Sequence, residues 1–223
     1  MDRKRNYQKE LDKLIEKITK EGRRPKLLLH ACCAPCSSYC LEYLSEYFDI
    51  EIFYYNPNIA PKEEYDKRVE ELKRLIATMP LKGPVTLTLG NYDTERFYDM
   101  AKGLEELPEG GERCFKCYEL RLRETAAIAG ERGADYFTTT LSISPYKNAE
   151  KLNSLGEIIA GETGTSYLVS DFKKRNGYKR SIELSGIYNL YRQDYCGCVY
   201  SKAARIRELQ SREAQPDKDE TTV

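Results

Sequence analysis

Lys26-Leu27-Leu28-Leu29-His30-Ala31-Cys32-Cys33-Ala34-Pro35-Cys36 is the stretch that decides the fold class. Its short apolar run reads as a buried strand, and Pro35 stands where proline is tolerated, in the first turn of a helix. A strand that passes directly into a helix is the opening of a βαβ unit.

Before this stretch, Leu11, Leu14, Ile15 and Ile18 recur at helical spacing and predict an amphipathic helix after Asn6, punctuated by Gly22 and Pro25. After it, Pro35–Phe48 reads as helix and Ile50–Tyr55 as a second strand closed by Asn56-Pro57-Asn58. A charged helix over Pro61–Thr78, a strand Val85–Leu89 and a helix Thr94–Lys102 follow. Gly103–Arg113 is an acidic loop, and Cys114–Gly130 a helix with Leu120, Ala127 and Ile128 as its apolar face. Tyr136–Thr140 is a fourth strand, Lys147–Gly161 a helix and Ser166–Val169 a short fifth strand. The basic loop Asp171–Arg180 then leads to helices around Ser181–Tyr191 and Ser201–Leu209.

This alternation predicts an α/β fold, with a mostly parallel five-stranded sheet flanked by helices and a helical C-terminal extension. With no linker and no internal repeat, residues 1–210 read as a single domain. Residues 211–223, polar and aperiodic, read as a disordered tail.

Composition narrows the function. The 223 residues carry 36 basic and 36 acidic side chains, a formal net charge of zero, which argues against broad electrostatic binding of nucleic acid. Forty per cent of the chain is hydrophobic, enough for a core and too much for a disordered chain. There is no apolar run of about 18 residues to span a membrane. Met1-Asp2-Arg3-Lys4-Arg5-Asn6 has no apolar segment behind it, so the expectation is a cytoplasmic protein with reduced thiols. Eight cysteines against one histidine are then an excess that needs a use. They fall well below the roughly 8–10% of a disulfide scaffold, and in a reducing compartment such cysteines are metal ligands or redox centres.

Their spacing separates them into Cys32, Cys33, Cys36 and Cys40; Cys114 and Cys117; and Cys196 and Cys198. Cys32 and Cys33 lie beyond the carboxyl end of the first strand, where open parallel sheets bind ligands. They also precede a helix N-terminus, which stabilises thiolates. Cys36 and Cys40 are assigned to packing between strand and helix. Cys114-Phe115-Lys116-Cys117 supplies two corners of a metal site, and with Cys32 and Cys33 completes four thiolates. That donor set suits zinc or a [4Fe–4S] cluster alike. Neighbouring residues in extended chain point opposite ways, so one of Cys32 and Cys33 has the option of holding a second iron with Cys196 or Cys198. Cys196-Gly197-Cys198 would close a strained and readily reduced disulfide ring, or supply two further ligands. His30 is assigned to packing at the strand end. Nucleotide loops of the G-x-G-x-x-G and Walker kinds and the H-E-x-x-H motif are all missing. Lys173, Lys174, Arg175, Lys179 and Arg180, interleaved with Phe172 and Tyr178, are candidates for phosphates and unpaired bases.

Five ordered motifs resemble the QueH-type epoxyqueuosine reductases: His30–Cys36, Tyr55-Asn56-Pro57-Asn58-Ile59, Arg113–Tyr118, Thr139–Pro145 and Tyr191–Cys198. The resemblance implies a Rossmann-like domain of the HUP type, although the S-G-G-x-D-S loop of the pyrophosphatases in that group is missing. It implies a cytoplasmic iron–sulfur oxidoreductase of tRNA modification, which converts epoxyqueuosine at the wobble base to queuosine without cobalamin. Its electron donor is not identified by the sequence. By the same resemblance Cys32, Cys33, Cys114 and Cys117 would hold [4Fe–4S], and Cys196 and Cys198 would be a redox pair. Two other readings are a zinc-stapled RNA-binding module that uses the same four cysteines without catalysis, and a metal-free thiol oxidoreductase that uses Cys32–Cys36 and Cys196–Cys198.

Overall fold

Successive side chains of a strand point to opposite faces of its sheet, and the leucine run of the first strand feeds two separate cores. The structure, a computed structural model, describes residues 5–213. Its β1 (Lys26–His30) sends Leu27 and Leu29 into one buried cluster and Leu28 into another. A strand covered on both faces needs apolar residues throughout, hence the unbroken run.

Around β1 lie β2 (Asp49–Tyr54), β3 (Val85–Leu89), β4 (Tyr136–Thr139) and β5 (Ser166–Tyr167), in the order β3-β2-β1-β4-β5 with every pairing parallel. On one face α1 (Tyr7–Lys20), α2 (Ala34–Leu44) and α3 (Lys62–Thr78) bury Leu11, Leu41 and Leu72 against Leu29 and Ile52. On the other, α5 (Glu112–Glu131) and α6 (Ala149–Thr163) bury Leu122 and Ile159 against Leu28 and Phe137. The short α4 (Thr94–Ala101) packs on α5. The chain leaves β1 for β2 on one side and returns at β4 on the other. The loops after β1 and β4 therefore diverge and open a crevice at their carboxyl ends.

The α/β fold, the parallel sheet and the helical extension stand as expected, but several boundaries move. The helix after β1 ends at Leu44 rather than Phe48, because a turn closed by Tyr47 N–H to Leu44 O (2.9 Å) swings Phe48 into the core. β5 has only two residues: Asn153 intercepts the next stretch, donating to Ser170 O and accepting from Ser170 N–H. The helix α7 (Gly177–Ile187) begins four residues before Ser181, so Lys179 and Arg180 belong to a helix rather than a loop. Gly177 allows that start, since a Cβ there would stand 2.0 Å from Phe172 O.

The buried face of α5 is a larger correction. It carries Tyr118, Arg121, Leu122, Thr125, Ala126 and Ala129, while Leu120 and Ile128 are only partly buried and Ala127 is exposed. Periodicity among aliphatic residues picks out the wrong stripe, because the true one contains an arginine. Finally, α8 (Val199–Glu213) takes in residues 211–213 of the expected tail, whose remainder lies outside the described residues. Among the described residues no helix is long and apolar enough to cross a membrane.

Candidate active site

Seven of the eight cysteines line two adjoining cavities beyond the ends of β1 and β4. All eight are free thiols. The larger cavity, about 630 Å³, has Cys32, Cys33 and Cys36 in its wall; the smaller, about 20 Å³, has Cys114, Cys117 and Cys198. Cys196, Arg121, Lys147, Glu109 and Ser201 border both.

The first group is made by a single strand-to-helix junction. Cys33 is the N-cap of α2 with extended backbone (φ −171°, ψ 163°), yet its Sγ lies 3.7 Å from that of Cys32. The opposed directions expected of neighbouring residues are thus overcome at the turn. Cys36, one turn into the helix, completes a trio whose sulfurs all lie within 4.8 Å of one another. Its assignment to packing is therefore corrected: helical geometry brings an N-cap and a residue three positions on to the same side. Cys40, a further turn along, is fully buried among apolar neighbours, as expected.

Three thiols this close share charge unequally. Hydrogen bonds from Cys32 and Cys36, with Arg68 nearby, hold the Cys33 thiol well below its ordinary range. Donating to Cys33 pushes Cys32 up to about 11, and donating to both neighbours pushes Cys36 up as well. The trio therefore favours a single thiolate on Cys33, at the positive end of α2. Thr140 steadies Cys32, accepting from its N–H at 3.4 Å and standing 3.6 Å from its sulfur. His30 plays the packing part expected of it. Its Nε2 donates to Tyr55 O and its Nδ1 accepts from the Thr139 hydroxyl, both at 2.9 Å. Burial and the charge of Arg121 hold its pKa down at about 4, so it stays neutral.

The second group is assembled from distant parts of the chain. Cys114 and Cys117 stand on the first turns of α5, and Cys198 packs against Cys117 and Phe97. Burial pushes Cys117 up to about 11 and raises Cys198. Cys196 and Cys198 are delivered by a segment clamped to α3 and the loop before it: Arg68 Nη1 of α3 donates to Cys196 O at 3.1 Å, and Ala60 N–H of the loop to Gly197 O at 3.0 Å. Gly197 is in the left-handed region (φ +116°), and a Cβ on it would meet Ile59 Cγ1 at 2.9 Å and Arg68 Nη1 at 3.0 Å. Glycine is required there on both counts.

Charge explains what the sulfurs alone do not. Arg121 is 2% exposed and has no carboxylate within 4.0 Å among the described residues. Its guanidinium reaches only Cys117 O at 3.2 Å and Asn56 Oδ1 at 3.4 Å. Burial opposes its charge, but Cys117, Cys196 and Cys32 outweigh burial and raise its pKa. Lys147, 8% exposed, places Nζ 3.3 Å from Cys196 Sγ and 2.9 Å from Glu109. Burial works against this ammonium too, and Cys196, Tyr118 and Glu109 overcome it. Buried cations need a countercharge: Lys147 has Glu109 at 2.9 Å with Cys196 Sγ at 3.3 Å, while the groups that favour the charge of Arg121 are the sulfurs of Cys117, Cys196 and Cys32. Asn58 Oδ1 and Tyr118 Oη, both bordering the small cavity, are buried with no hydrogen-bond partner.

Soft thiolates, a cationic surround and orphaned polar atoms fit a thiolate-ligated metal centre. Arg68, Glu109, Arg121 and Lys147 are not legible as site residues in the sequence. The available signal for Arg121 is its place one helical turn after Cys117; that for Lys147 is its place just after the Thr139–Pro145 motif. The basic residues predicted to meet phosphate lie elsewhere. None of Lys173, Lys174, Arg175, Lys179 and Arg180 borders the large cavity, although Tyr178 and Ser181 do. Lys173 is tied to Asp171 and Ser142 O, Arg175 to Asp12, and Arg180 to Glu42 and Glu183.

A family model described as epoxyqueuosine reductase QueH matches residues 27–204. The chain is 46% identical over 204 residues to the epoxyqueuosine reductase QueH of Staphylococcus epidermidis, spanning 90% of this chain and 86% of that protein. With the protein of the same name from Streptococcus pyogenes serotype M1 it shares 43% over 202 residues, 90% of this chain and 79% of the other. A third, from Thermotoga maritima, is 36% identical over 185 residues, 80% of this chain and 91% of the other.

Proposed function

The chain belongs to the epoxyqueuosine reductase QueH family, and on that premise we propose that it reduces epoxyqueuosine at the wobble base of tRNA to queuosine. The single observation that carries this reading to a site is Arg121, a buried cation with thiols for neighbours at the junction of the two cavities. The modified nucleotide would enter the 630 Å³ cavity, a volume suited to a small organic ligand, with the thiols as its floor.

A [4Fe–4S] cluster would be held by Cys32, Cys33, Cys114 and Cys117, although among the described residues the three thiols that stand within 4.8 Å of one another are Cys32, Cys33 and Cys36; such a cluster would supply low-potential electrons one at a time. The overall change consumes two electrons and two protons. Both C–O bonds of the epoxide break, a C=C bond forms between the two carbons, and the oxygen leaves as water. The electrons come from a one-electron donor of low potential. Around this chemistry the chain's own groups have distinct tasks. Arg121 and Arg68 offset the negative charge gathered by thiolates. Lys147 Nζ, in the wall of both cavities, offers a charged hydrogen-bond donor where negative charge would build on the departing oxygen. Cys196, in contact with that ammonium, and Cys198 are the redox pair. On the outer surface Lys174 and Lys179, the two basic residues of the 173–180 stretch without an intramolecular partner among the described residues, are free to meet RNA phosphates.

The deciding experiment is anaerobic reconstitution with iron and sulfide, then incubation with epoxyqueuosine-containing tRNA and a strong reductant, read by nucleoside mass spectrometry. The expected result is conversion to queuosine by protein holding about four irons per chain. Iron well above that number would leave a second iron for the remaining thiols. Protein that binds one zinc, stays colourless and converts nothing would favour the RNA-binding module. Thiol-dependent conversion without metal would favour the oxidoreductase.

A further inference from the structure

Two exposed segments in the wall of the large cavity are not used by the chemistry above. One is the turn Ser144-Pro145-Tyr146, whose tyrosine borders the cavity while remaining 77% exposed. Its backbone N–H donates to Ser144 Oγ at 3.3 Å. The next residue, Lys147, is fixed in the site by Glu109 and Cys196. The ring is thus presented to solvent by a turn anchored on both sides, and folding gains almost nothing from it.

The other segment carries Arg192, exposed and bordering the same cavity. Only its Nη1 is engaged, donating to Ser185 Oγ at 3.0 Å and Ser181 O at 3.5 Å. No carboxylate lies within 4.0 Å of it among the described residues, whereas Arg205 and Arg212, also at this cavity, are held by Asp194 and Glu208. Arg192 therefore keeps Nε and Nη2 free, the edge of a guanidinium that grips an oxyanion with two parallel hydrogen bonds.

We infer that Tyr146 and Arg192 form a nucleotide clamp at the mouth of the cavity, one stacking on an unpaired base of the substrate RNA and the other holding a phosphate beside it. The inference rests on the proposed function, and says which groups make the substrate a polynucleotide rather than a free nucleoside. Stacking on an aromatic face tolerates any base, and a phosphate contact carries no sequence information. The clamp would hold a neighbour of the modified nucleotide, whatever its identity, while the modified nucleotide itself fills the cavity.

The test uses the full chain and a fluorescent anticodon stem-loop RNA carrying epoxyqueuosine at the wobble position. Binding is followed by anisotropy over a series of salt concentrations, with KM measured alongside. Tyr146→Ala is expected to weaken binding by at least about fivefold, from the worth of one base stack, with KM rising in parallel and Tyr146→Phe restoring both. Arg192→Gln is expected to make the slope of log affinity against log salt shallower by roughly 0.7–0.9, the release of one phosphate contact. Tyr146→Ala binding within about twofold of the unaltered chain, or Tyr146→Phe as weak as Tyr146→Ala, overturns the stack. An unchanged salt slope in Arg192→Gln overturns the phosphate contact. If the unaltered chain binds the stem-loop but never converts it, the proposed reaction fails and the clamp is still judged on binding.

Discussion

The two groups of thiols are built in opposite ways. Cys32, Cys33 and Cys36 come from one strand-to-helix junction, and backbone geometry alone sets their sulfurs within 4.8 Å of one another. Cys114, Cys117, Cys196 and Cys198 line one cavity only because the segment before α8 is pinned to Arg68 of α3 and to Ala60 in the loop before it. The first group is prepared as soon as β1 and α2 form. The second waits for the tertiary fold, and its position answers to contacts far from any sulfur. Arg121, bordering both cavities, joins the two into one electrostatic unit.

Ligand loss is the strongest way to break this comparison. If the groups share one cluster, Cys33→Ser and Cys117→Ser should each remove nearly all bound iron and abolish conversion, since losing one of four ligands typically dismantles the site. Chelation of the unaltered protein should do the same, and Cys40→Ala, away from both cavities, should keep its iron. Iron and sulfide analysis checks this. Two variants that each lose only part of the metal would mean two centres and not one.

Next in size is Gly197→Val, which attacks the second group without touching a sulfur. Its backbone (φ +116°) and the 2.9 Å and 3.0 Å approaches of Ile59 and Arg68 leave no room for a side chain. The strain amounts to about 1–3 kcal/mol. Unseating Cys196 and Cys198 should reduce conversion at least tenfold, by the sensitivity of reactions to about 1 Å misplacement. Far-UV circular dichroism should stay unchanged because the sheet and α2 are independent of this segment. Near-normal turnover would show that the second group tolerates displacement.

Arg121→Gln comes third, and sharpens the electrostatic side. In metal-free protein a buried guanidinium without a carboxylate is a burden, so its removal should leave thermal stability unchanged or raised. In loaded protein the same cation stabilises the reduced, more negative state. Removing it should shift the midpoint potential of the metal centre downward, on the order of tens of millivolts. Opposite effects on the two forms are the signature; a stability loss in the metal-free protein would make Arg121 a packing residue.

The sequence makes the first group far more legible than the second. Strand, turn and helix are read from local signals, and the leucine run with Pro35 is enough to place Cys32 and Cys33 at the carboxyl edge of the sheet. Cys36 escapes because a cysteine in an apolar helix looks the same whether it packs or points into a cleft. Arg121 escapes because arginine is normally solvated, and only the assembled site shows what balances its charge. The basic stretch fails in the reverse sense: its charges are plain in the sequence, but Asp12, Glu42 and Glu183, which take up Arg175 and Arg180, lie on other elements or follow it. Pairing between distant segments is invisible to periodicity and composition, whether the pair is two thiols or two charges.

The smallest predicted effect tests that last contrast. Arg180 makes two ion pairs, at 2.7 Å with Glu42 and 3.1 Å with Glu183, yet its side chain is 39% exposed. Exposed pairs are screened by solvent and cost side-chain freedom to hold, so Arg180→Ala should lower stability by no more than about 1 kcal/mol in urea unfolding. Arg180 points its charge at carboxylates rather than into the cavity, so affinity for the stem-loop RNA should change by less than about threefold, within the worth of one surface charge. Set beside Arg121→Gln, this separates number of contacts from burial. Arg180 has two carboxylates at the surface, while Arg121 has none among the described residues and lies buried where the two cavities adjoin. A large loss of RNA affinity in Arg180→Ala would return the 173–180 stretch to the centre of substrate binding, and would mean that Glu42 and Glu183 release the guanidinium when RNA arrives.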